Sequence, residues 1–140
     1  MTISINTALA NAMLDTGSFK SLLDGGNILL YSGTMPLNAD AALSGNTMIC
    51  EVFLNNDGAT GLTWDTTATG GVLTKPAGAV WAGTVIPAGG VATFYRFVMG
   101  SYAFQGTVAQ AGGDLDLTNV VLAANATQPI NAFAMALPIG

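Results

Sequence analysis

The sequence predicts an all-β domain: an antiparallel jelly roll or β-sandwich of about eight strands with a short N-terminal helix. Three observations predict it. Apolar and polar residues alternate with a period of two in several segments after Asn27. These segments recur at roughly ten-residue spacing, the rhythm of sandwiches and barrels. Glycines punctuate them, as the pairs Gly25-Gly26, Gly70-Gly71, Gly89-Gly90 and Gly112-Gly113 and as Gly58. Helical periodicity does not return after the first segment, so the crossover helices of a parallel sheet are not encoded.

The helix comes first. Asn6 or Thr7 can cap it, and Ala8, Leu9, Ala12 and Met13 recur at three- and four-residue spacing. Asp15, Thr16 and Gly17 end it, with Gly17 suited to a left-handed position. Ser18 to Asp24 adds a second short turn. Strands are then expected at Asn27–Ser32, Asn46–Leu54, Val72–Thr74, Val80–Ile86, Val91–Met99, Ser101–Gln110 and Asp114–Thr118, continued by Val120–Ala123. Leu62–Asp65 reads as a short edge strand. The last strand runs from Ile130 to Leu137, opened by Pro129. Met35 to Gly45 is a long connection. One domain is expected over residues 1–140, with the helix at about 6–17 and the sandwich at about 27–138.

Composition narrows the function. Three basic and eight acidic residues make 8% of 140 residues, against about 25% in an average soluble domain. Hydrophobic residues make up 51% and the net charge is −5. Lys20, Lys75 and Arg96 lie far apart, so no basic patch for nucleic acid is expected. The most apolar stretch, Ala79 to Gly100, is broken by Pro87, Gly89, Gly90 and Arg96, which argues against a membrane span. No secretory signal is visible at the N-terminus. The apolar excess is expected in a core or against other subunits.

Candidate chemistry is sparse. With no histidine, a triad or a histidine metal site cannot be built within the chain. Cys50 lies mid-strand among apolar residues and reads as a buried small hydrophobe. Glu51 and Asp65 are the carboxylates on strand-like segments, but a lone strand carboxylate usually faces solvent. No enzyme activity and no cofactor are expected. Asp114 and Asp116 share a strand face and, with Asn119, offer oxygen ligands for Ca²⁺; the competing reading is a strand with its acids in water. Trp81 reads as core. Trp64, beside turn residues, is a candidate sugar-stacking platform. Arg96, within Phe94-Tyr95-Arg96-Phe97, reads either as a solvent-face residue or as a contact anchor, because arginine and aromatics are enriched in interfaces.

The segment Tyr31-Ser32-Gly33-Thr34-Met35-Pro36, followed by Ala39-Asp40-Ala41-Ala42, resembles a pattern found in small structural proteins of tailed bacteriophages. Leu14-Asp15, Gly70 to Thr74 and Asp114 to Leu117 are similar in layout. The resemblance implies a virion component on the capsid outer surface, made in the bacterial host cytoplasm. Some small jelly-roll members of this kind are cement, or decoration, proteins. The implied partner is the major capsid protein, with a homo-oligomer (dimer or trimer) expected and neither nucleic acid nor membrane. The alternative is a glycan-binding or tail/fibre module. Expected contact residues are Leu9, Met13 and Leu14 on the helix, Met35, Pro36 and Leu37 on the long connection, and Trp64 and Arg96. The connection reads equally as a crossover between sheets.

Overall fold

Twelve strands and two short helices account for the regular structure of residues 3–136, which this computed structural model describes. In chain order they are β1 (Ser4–Ile5), α1 (Thr7–Asp15), α2 (Phe19–Leu23), β2 (Asn27–Tyr31), β3 (Met48–Leu54), β4 (Val72–Thr74), β5 (Trp81–Val85), β6 (Gly90–Val91), β7 (Phe94–Met99), β8 (Tyr102–Ala109), β9 (Leu115–Asp116), β10 (Val121–Leu122), β11 (Thr127–Ile130) and β12 (Ala134–Ala136). One eight-stranded sheet dominates, in the order β1-β8-β7-β2-β3-β5-β11, with β9 added to β8. Two ribbons, β10-β6 and β12-β4, stand apart from it. Every pairing is antiparallel except β8 with β9. The chain is therefore mostly β with antiparallel sheets, but the sheets are not closed and the strands are not shared equally between two layers.

Alternation sets the inner face of the large sheet. Ile28 and Leu30, Cys50 and Val52, Tyr95 and Phe97, Phe104, Trp81 and Val85 point one way and are buried. Leu9, Leu23, Leu73, Phe133 and Met135 belong to the same core cluster, with the half-buried Phe19 packed against it. Phe97 and Phe104, cross-strand partners, stack with centroids 5.3 Å apart. Gly106, opposite Tyr95, leaves room for that ring; a Cβ there would stand 2.9 Å from Tyr95 Cε1.

Several boundaries differ from expectation. Asn6 caps α1, its side chain accepting from Leu9 N at 2.9 Å. Gly17 is not left-handed, and a Cβ there would stand 2.9 Å from Ser21 Oγ. The run Val91–Met99 breaks at Ala92 and Thr93 into β6 and β7, because β6 pairs with β10, with Ala92 N donating to Val120 O, whereas β7 pairs with β2, with Thr93 N donating to Tyr31 O. Leu62–Asp65 forms only an isolated bridge between Leu62 and Gly26. Pro129 lies inside β11 rather than opening a strand, tolerated because β11 is an edge. β12 is a separate strand; Leu137 and Pro138 lie outside the described residues. In β3 the pairing shifts at Ile49, which is buried out of alternation.

Candidate functional site: a clamped connection over the outer sheet face

The outer face carries a cross-strand row of Gln105, Arg96, Leu29 and Glu51. The connection from residue 32 to residue 47 crosses part of this face and is held at five places. At its base, Asn46 Nδ2 donates to Ser32 O at 3.0 Å and Thr34 O at 2.9 Å. Thr93 Oγ1 donates to Gly33 O. Further along, Gln105 Nε2 donates to Pro36 O at 2.8 Å. Arg96 Nη2 donates to Ala41 O at 2.7 Å and to Asn38 O at 3.3 Å, while its Nε donates to Gln105 Oε1 at 3.0 Å. Finally, the Asp40 carboxylate accepts from Thr7 N at 3.0 Å and Thr7 Oγ1 at 2.7 Å, tying the connection to the start of α1.

The local sequence explains why the segment adopts this path. Asn38 Oδ1 accepts from Asp40 N and Ala41 N, a side-chain-stabilised turn. Gly33 and Gly45 have positive φ of 85° and 70° at the two ends. Ala39 is buried beneath the turn. The outcome is an ordered connection with two exposed large apolar side chains, Leu37 at 93% and Leu43 at 38%.

The charges are tuned by these contacts. Hydrogen bonds from Thr7 hold the Asp40 carboxyl below its usual range. Partial burial lowers the Arg96 pKa, and the phenolate of Tyr31 would oppose that. Burial pushes Tyr31 up, with Arg96 opposing.

The expected contact residues separate into four groups. Leu37 and Leu14 (88% exposed) are free to meet a partner. Met13, Met35 and Pro36 are half-buried. Leu9 and Trp64 are corrections. Leu9 is in the core, because the face of α1 that carries it is the one that packs on the sheet. Trp64 is 4% exposed and packs on Phe19, Trp81, Phe97 and Phe133, so it offers no surface for a sugar. Its apolar area drives it inward although no strand carries it. Arg96 is not a free solvent residue; its donors hold the chain's own connection.

Gln105 was not singled out in the sequence, yet it is fully buried and links Arg96 to Pro36. The signal was available: an amide between Phe104 and Gly106 in an apolar strand needs partners. The tie between Asp40 and Thr7 had no such signal.

Elsewhere, Trp81 and Cys50 are buried as expected. Burial and nearby Glu51 push the Cys50 thiol up to about 11, which suppresses thiolate chemistry. Asp114 and Asp116 do not converge. Asp114 is buried and accepts from Thr107 N and Oγ1, so it is not an acid in water, while Asp116 accepts from Gly113 N and Asn119 from Val121 N. Among the described residues no group of three or more acidic or cysteine side chains is placed to hold a metal ion. No described helix is long and apolar enough to cross a membrane.

No family model, curated protein or solved structure matches the chain. The functional reading therefore rests on the residues themselves.

Proposed function

We propose that this chain is a structural protein of a tailed-bacteriophage virion, a cement protein that binds the assembled shell of the major capsid protein from outside. The observation that carries the proposal is the clamped connection. It includes all of the Tyr31-to-Ala42 motif except Tyr31, which ends β2, and displays Leu37 from an ordered backbone. A contact element ordered before binding avoids the entropy cost of ordering on the partner. Repetition over a symmetric shell then makes each modest contact collectively strong. Low surface charge suits a protein whose faces are covered by neighbours, including copies of itself. A jelly-roll relationship belongs to the same proposal, supported by the antiparallel pairing and the aromatic core between the large sheet and the β12-β4 ribbon.

The test is co-sedimentation of the purified protein with expanded shells that lack it. Saturable binding at hundreds of copies per particle is expected. Leu37→Asp is expected to weaken it at least tenfold while the folded state is kept. Saturation at a few dozen copies would move the protein to the tail. Glycan binding without shell binding would overturn the reading.

A further inference from the structure

A groove of about 860 Å³ is lined by Ile3 and Ile5, Met13, Phe19, Leu73 and Met135, among others. We propose that it is a strand-docking site, taking an extended apolar segment of a partner protein that carries one carboxylate.

Three observations specify that occupant. First, the groove is bordered by two outermost strands. β1 ends the large sheet and β12 ends the small ribbon, so among the described residues no strand pairs with the outer side of either. An incoming strand can complete the hydrogen bonding of such an edge. Second, shortness is the one protection these edges have, two residues in β1 and three in β12. The opposite edge of the large sheet, β11, contains Pro129, but β1 and β12 contain no proline and no charge. The exposed positions of β12 are Ala134 and Ala136, small enough for a backbone to approach closely. Third, the lining has one charge, Lys20, and no carboxylate among the described residues. Lys20 Nζ donates to the Thr66 carbonyl at 3.3 Å. An acidic residue on the occupant would complement it. Apolar side chains alternating along the strand would fill the space beside Met13 and Phe19.

This inference does not depend on shell binding, because it is tested on the isolated chain. The probe is a capped heptapeptide alternating threonine and valine, with a single glutamate near its centre. Saturable binding is expected, together with slowed amide exchange at Ile5 and at residues 134–136. Lys20→Glu is expected to weaken binding at least tenfold, and a probe with lysine in place of glutamate is expected to restore it. Matching circular dichroism and melting midpoints would show that the variant is folded. Absence of saturable binding, or binding indifferent to Lys20→Glu, would overturn the proposal. So would uptake of dodecanoate but not of the peptide, which would assign the groove to a small amphiphile. Self-association abolished by Met13→Glu, without peptide binding, would assign it to a second copy of the chain.

Discussion

On the inner face of the large sheet, Trp81, Phe97 and Phe104 are covered by Trp64, Phe19 and Phe133. On the outer face, Arg96 and Gln105 are covered by backbone carbonyls of one connection. The first arrangement is held by apolar area and is insensitive to the details of any single contact. The second is held by a few directed bonds. Stability is therefore expected to reside mainly in one face and presentation in the other. Substitutions that separate the two properties test this division.

The largest effect is expected on the inner face. Phe104→Ala should cost about 3–5 kcal/mol, the usual range for emptying a buried aromatic site. Urea denaturation measures it. Molecules that still fold should keep the proposed shell binding, because the outer connection is untouched. A variant of normal stability with lost binding would reverse the division. Gly83→Ala is next, expected to cost about 1–3 kcal/mol by overpacking. Gly83 pairs with Val52, and a Cβ there would overlap the Glu51 carbonyl oxygen and stand 2.6 Å from Cys50 Sγ. Unchanged stability would mean that β3 and β5 can move apart more readily than the register implies.

Arg96→Ala tests the outer face. It removes the donors to Ala41 O and Asn38 O and strands Gln105 Oε1. An expected cost of about 1–2 kcal/mol follows from charge-assisted bonds at a partly buried site. The more specific outcome is spatial. Amide exchange should accelerate between residues 36 and 42 while the strand amides of β2, β3 and β8 keep their protection. Uniform acceleration would make Arg96 a general stabilising residue rather than a clamp.

The same division explains what could be read from the sequence. β3 and β5 were legible because Asn46–Leu54 and Val80–Ile86 alternate between turns, and Cys50 and Trp81 were placed correctly on that basis, while β2 was legible as a short apolar run bounded by glycines. Short-range patterning failed where a distant partner decides the outcome. Trp64 sits beside turn residues, yet its indole is drawn into the core by rings from four other segments. The alternation from Val91 to Met99 shows no interruption, but Gly90 and Val91 are drawn off to pair with the distant β10 while β7 pairs with β2. β1 is two residues long, too short to carry a pattern. The long connection was recognised as a candidate contact element, while its anchors at Gln105 and Thr7 depend on tertiary placement that no local spacing records.

The smallest effect concerns Asp40, and it isolates one clamp without altering the core. Hydrogen bonds from the Thr7 hydroxyl and amide lower its pKa in the folded state. A carboxyl whose pKa is lowered by folding contributes stability that is present above its unfolded value, about 3.9, and is lost as pH falls through the lower folded value. The Thr7 amide resonance should therefore titrate with a midpoint below about 3.9. Asp40→Asn should abolish that titration. The site is fully exposed, so the melting temperature should change little. The bond nonetheless fixes the far end of the connection to α1. Its loss should speed exchange near residue 40 more than near Asn46, whose own bonds to Ser32 and Thr34 remain. A Thr7 midpoint at or above the ordinary carboxylate value would mean that this end of the connection is not held. Arg96 and Gln105 would then be left to position Leu37 without help from α1.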